Sequence, residues 1–185
     1  MGGLHEKSLI SFLAQTNLGK TMILCSLAAG LIKNGFDVLY VTFEDPEKKI
    51  TKRVLQNILD TNQKDLKMLS KEQFKKFFNE KTKEIKKRFI IKEYPEYSCN
   101  AITIKTLLKN LEEKKKFKPQ VLIIDYIGCM IPNGKNNNMN TNSILQHVTG
   151  ETRAIALEKS LAIISASQTN RRSRRFIRSR INRFC

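Results

Sequence analysis

The segment AQTNLGKT, residues 14–21, sets glycine, lysine and threonine in succession between a strand-like apolar run, residues 9–13, and a helix-like run from Thr21 onward. Those residue types suit the capture of a triphosphate. A strand delivers the chain to a tight turn, and the next helix adds its positive N-terminal end, so main-chain N–H groups hold the phosphates. Ala14, Gln15, Thr16, Asn17 and Leu18 form the body of that loop, and Gly19 lets the backbone come close. Lys20 carries a point charge to the β and γ phosphates, and the Thr21 hydroxyl is placed to ligate Mg²⁺. The usual pattern is G-x-x-x-x-G-K-[ST], and Ala14 stands at its first glycine. Alanine is the smallest substitute and is accommodated where φ is negative. The ligands expected are therefore a nucleoside triphosphate and Mg²⁺.

Three further polar residues fall at strand ends. VLIID closes on Asp125, whose carboxylate at the end of a buried strand can hold magnesium through water. VTFE closes on Glu44, which could accept a proton from an attacking water. ASQ closes on Gln168, a neutral donor able to sense the γ-phosphate. In open parallel sheets ligands bind beyond the carboxyl ends of strands, where all three fall.

The elements that must position them alternate. Strands are predicted at residues 8–13, 37–43, 89–92, 121–127 and 161–165. Helices are predicted at 21–33, from Pro46 to about Leu59 with Asp45 as N-cap, at 100–116 and at 144–160. Residues 70–88 read as one lysine-rich helix with Phe74, Phe77, Phe78, Ile85 and Phe89 along one packed face and a solvated basic side. The Asn-rich stretch 134–143 reads as a mobile loop. Buried-type strands alternating with helices imply an α/β fold with a mostly parallel sheet flanked by helices.

A length of 185 residues suits one domain with a substantial core. No apolar stretch approaches the roughly 18 residues of a membrane span, so no membrane partner is expected. Cys25, Cys99, Cys129 and Cys185 lack metal-ligand spacing, which makes a zinc site or disulfide framework unexpected and points to a reducing cytoplasm. Net charge is +17, but residues 171–185 hold seven arginines while residues 1–170 hold three. The bulk charge is thus a weaker sign of nucleic-acid binding than its size suggests.

Taken in order, the GGL lead-in, the phosphate loop, FE after the second strand, VLIIDYIG, the helix GETRAIALEKS and SASQTNR resemble the RecA-type core of DnaB-like replicative helicases, superfamily 4. The likeness is strongest to the T-even-type phage branch, where alanine also starts the phosphate loop, and it covers roughly residues 2–171. It implies a RecA-like P-loop NTPase core in which ATP hydrolysis drives a homo-hexameric ring along single-stranded DNA and separates the duplex, in the host cytoplasm if viral. It implies Lys20 and Thr21 as phosphate-loop residues, Glu44 as catalytic base, Asp125 as the magnesium-associated acid and Gln168 as γ-phosphate sensor. A primase and a helicase loader are partners that such a motor could take.

The same likeness implies a core that is incomplete at its C-terminus, since the family continues past SQTNR with further strands, a DNA-binding loop and an arginine finger. Residues 172–185 read as a basic, frame-shifted or truncated end, because lysine-coded charge changes abruptly to arginine-coded charge where the resemblance stops. Contact with DNA is expected mainly in loops, with 134–143 the candidate here, rather than in the Phe-bearing helix. Two other classes stay open: a RecA/RadA-like recombination or signalling ATPase, and a non-catalytic fragment that binds nucleotide without turnover.

Overall fold

A computed structural model describes residues 4–15, 18–85, 88–134 and 140–168. Its strands are β1 (Ser8–Ala14), β2 (Val38–Thr42), β3 (Phe89–Glu93), β4 (Val121–Asp125) and β5 (Ala162–Gln168). They form a single parallel sheet in the order β1-β5-β4-β2-β3. The helices are α1 (Lys20–Lys33), α2 (Glu47–Leu59), α3 (Gln63–Met68), α4 (Lys71–Thr82), α5 (Ala101–Lys115) and α6 (Thr141–Lys159).

Each central strand is buried on both faces, which is why β2 and β4 are apolar without a break until their last residues. Alternate side chains serve two cores. Val38, Tyr40, Val121 and Ile123 pack against Leu24, Ala28 and Ile50 of α1 and α2. Leu39, Val41, Leu122 and Ile124 pack against Ile104, Leu108 and Ile155 of α5 and α6. The result is a three-layer α/β sandwich.

Several boundaries differ from the sequence expectations. Asp45 does not cap α2: the N-cap is Pro46, with no side-chain bond. The Asp45 carboxylate instead bonds to Lys49 at 2.6 Å and to Arg53, both on the helix it was expected to cap. Partial burial works against its charge, but these two cations hold its pKa below the ordinary value. The lysine-rich helix ends at Thr82, short of the expected 88, and Phe89 opens the expected strand, β3, paired with Val38 on β2. None of the α4 residues is fully buried; Phe74 and Phe78 stack at 6.0 Å, and α4 packs shallowly on α2. The short helix α3, capped by the Asn62 side chain, was not expected.

At the functional end, β4 stops at Asp125 and Ile127 enters a 3-10 turn, Ile127–Cys129. Strand β5 runs on to Gln168 because its last residues pair with β1. Helix α6 starts at Thr141, since the Asn140 side chain accepts the Ser143 N–H and caps it, so the loop expected at 134–143 is shorter than foreseen. Residues 135–139 of that loop, and the arginine-rich end, lie outside the described residues. No helix among the described residues is long and apolar enough to cross a membrane.

Candidate functional site

Strand register brings the expected site residues to one edge. Ala14 is level with Gln168 and Thr42 with Asp125; β1 and β5 run two residues further than β4 and β2, and Glu44 follows two residues after Thr42. Ala14 ends β1 as an extended residue, a backbone that alanine adopts freely, which answers the departure at the first glycine. Thr16 and Asn17 lie outside the described residues. Gln15 O accepts the Leu18 N–H at 3.3 Å, which turns the chain toward α1.

Gly19 is the N-cap of α1 with φ 73° and ψ 26°, a left-handed conformation that strains any residue with a Cβ. It offers no side-chain cap, and the first turn of α1 carries no acid. The amides at this helix start thus have no side-chain cap among the described residues and suit an anion, with the helix dipole behind them. Lys20 and Thr21 are the first two residues of that helix.

Asp125 is only 2 % exposed. Its Oδ2 accepts the hydroxyl of the buried Tyr40 at 2.8 Å, while Oδ1 has no hydrogen-bond partner among the described residues. Burial pushes its pKa up; the Tyr40 bond, Thr21 and, more weakly, the Lys20 charge favour the ionised form. A buried carboxylate oxygen without a partner, with the Thr21 hydroxyl beside it, suits a hard divalent cation taken through oxygen ligands, as Mg²⁺ requires. The residues present fit that ion.

The turn after Asp125 is pinned by Ser165, whose hydroxyl donates to Ile124 O at 2.8 Å and accepts the Ile127 N–H at 3.1 Å. Neither Tyr40 nor Ser165 was marked by sequence reasoning. Both sit inside apolar runs, and only a polar residue in a buried strand could have signalled them.

Glu44 is exposed at the same edge. Desolvation raises its pKa, the Asp125 charge adds to the rise, and Lys20 opposes it. Glu96 adds a smaller upward push. Glu44, Glu96 and Cys129 bring ligand atoms within 4.8 Å of one another, a grouping invisible in cysteine spacing. The Cys129 thiol is pushed up to about 11, chiefly by burial, so it is protonated at neutral pH. Tyr126 follows Asp125, with the Lys20 ammonium over its ring and its hydroxyl beside Gln168. The edge can therefore neutralise phosphate charge, hold a cation and take up a proton within one small volume.

Comparison with known proteins bears on the family and the fold. The family described as the DnaB-like helicase C terminal domain matches residues 1–179. The DnaB-like replicative helicase of Enterobacteria phage T4 is 32% identical over 176 residues, which is 93% of this chain and 37% of that protein. The chain thus spans little more than a third of that relative. Among solved structures, a DnaB-like replicative helicase described with its interactions with primase superposes with a TM-score of 0.72 at 18% identity, over 94% of this chain and 41% of that one. A second solved structure, described as an ATPase domain, superposes with a TM-score of 0.73 at 18% identity, over 92% of this chain and 60% of that one. The fold is RecA-like, and the chain belongs to the DnaB-like helicase C-terminal domain family.

Proposed function

We propose that this chain is the motor core of a replicative DNA helicase, which binds and hydrolyses Mg-ATP to move along single-stranded DNA and part the duplex. The observation that carries this reading is the convergence of Lys20, Thr21, Glu44, Asp125 and Gln168 on the carboxyl edge of the sheet, in a chain of this family. Family membership favours it over a recombination or signalling ATPase.

Lys20 and the amides at the start of α1 bind the β and γ phosphates. Thr21 and Asp125 would hold Mg²⁺, which when bound neutralises phosphate charge. Glu44 orients a water and takes its proton as the oxygen attacks the γ-phosphorus. The bond from that phosphorus to the bridging oxygen breaks, and ADP and phosphate leave. A raised pKa suits Glu44 to this work, since a base nearer neutrality accepts a proton more readily. Gln168 contacts the γ-phosphate and registers its loss. As in the wider family, the active form is a ring of six copies on single-stranded DNA, with a primase and a loader as partners.

The test is ATP hydrolysis with and without single-stranded DNA, by the chain and by Glu44→Gln. Turnover that DNA stimulates and the variant lacks supports the motor. Binding without any turnover would make the chain a nucleotide-binding module, and turnover that survives the substitution would remove Glu44 as base.

A further inference from the structure

Tyr126 stands between two groups that the proposed function assigns to the γ end of the nucleotide. The Lys20 Nζ lies over its ring, 5.4 Å from the centroid. Its hydroxyl donates to Gln168 Oε1 at 3.4 Å, the outer limit of hydrogen bonding. The ring is half-buried and packs against both hydrophobic cores, so its position is set by the fold rather than by solvent. Gly128 makes room for it: a Cβ there would stand 2.6 Å from Tyr126 Cε2.

We propose that Tyr126 is a positioning residue that ties the phosphate-binding lysine to the γ-phosphate-sensing glutamine. The ring face attracts the ammonium and keeps it at the sheet edge. The hydroxyl orients the Gln168 amide toward the same place. One rigid side chain, held by packing and by the absence of a Cβ at Gly128, thereby sets the spacing of two groups from separate elements. Discrimination between a triphosphate and a diphosphate then depends on Tyr126, which touches neither. The inference rests on the nucleotide-site reading above.

The two arms can be cut separately. Tyr126→Phe keeps the ring and removes the hydroxyl. It should leave ADP affinity within about twofold of wild type and reduce the preference for ATPγS over ADP by about three- to tenfold, the worth of one hydrogen bond. Gln168→Ala should reduce that preference equally, and the double variant should lose no more than Gln168→Ala alone. Tyr126→Leu also removes the ring face and should weaken both nucleotides by a further two- to fivefold or so. Gly128→Ala, which displaces the ring without altering its chemistry, should behave like Tyr126→Phe or worse. Thermal melts of each variant show that it is folded.

An unchanged ATPγS preference in Tyr126→Phe, or losses that add in the double variant, would overturn the tie. A wild-type chain that binds neither nucleotide would instead remove the proposed function itself, so the two failures are distinguishable.

Discussion

The metal half and the phosphate half of this edge are held in different ways. Asp125 is buried, its Oδ2 is fixed by a 2.8 Å bond from Tyr40, and the turn after it is pinned on both sides by Ser165. Lys20 is half-buried and Gln168 exposed, and the contacts that join them through Tyr126 are longer, 5.4 and 3.4 Å. The first half is preorganised, with the desolvation of its carboxylate already borne by the fold. The second is built from amides without a side-chain cap and two more open side chains placed only through the Tyr126 ring, so the ligand should tighten it further. The cation side is thus fixed by buried hydrogen bonds, and the phosphate side by one ring that leaves Lys20 and Gln168 open to the ligand.

The largest expected effect falls on Glu44, which stands between the halves. Glu44→Gln should lower turnover by roughly 10²-fold or more while nucleotide affinity is kept. In the wild type, the rate should fall as pH drops through the raised Glu44 pKa, because only the ionised form accepts a proton; the acid limb should therefore lie above the ordinary glutamate value near 4.5. A pH–rate profile flat down to that value would contradict this.

Next comes the rigid half. Asp125→Asn should remove the dependence of nucleotide binding on Mg²⁺ concentration, yet raise the Tm of the nucleotide-free protein by about 2–4 °C, the equivalent of roughly 1 kcal/mol in a chain of this size. The sign follows from its raised pKa: burial disfavours the charged form, so stability should rise as pH falls from that raised value toward 3.8, and the variant should flatten the slope. Tyr40→Phe should do the reverse to the fold. It leaves Oδ2 buried without its donor, costing about 1–3 kcal/mol, and should raise the Mg²⁺ concentration needed for half-saturation severalfold. Equal Tm for wild type and Tyr40→Phe would show that Asp125 is not fixed as described.

The smallest effect should come from α4. Phe74 is only half-buried, lining a shallow apolar cleft of about 200 Å³ with Leu55, Leu59 and Leu66, away from the sheet edge. Phe74→Ala should cost little stability and leave Mg-ATP and single-strand affinity within about twofold. A large loss of DNA binding would move the nucleic-acid surface onto this helix.

What sequence made legible follows from this division. Asp125, Glu44 and Gln168 could be placed because each lies at or just beyond the end of a strand, and in a parallel sheet such positions gather at the carboxyl edge. The phosphate loop could be read because its geometry is local: Gly19 takes the left-handed conformation that only glycine adopts without strain. Tyr40, Ser165 and Tyr126 could not be read, because their roles depend on which strand lies beside which. Tyr40 looks like any core aromatic until register sets β4 next to β2. The strand expected from residue 89 is β3, but the end of the helix before it was not legible, since helical spacing from Phe74 through Ile85 runs past Thr82, where the helix stops.

The most direct test of the central claim, that this edge binds Mg-ATP through its phosphate loop, is a calorimetric titration of Mg-ATP into the wild-type chain and into Lys20→Ala. A charge-assisted phosphate contact of about 1.5–3 kcal/mol predicts an affinity loss of roughly 10- to 150-fold in the variant. Equal affinity in the two proteins, or no binding to the wild type, would contradict it.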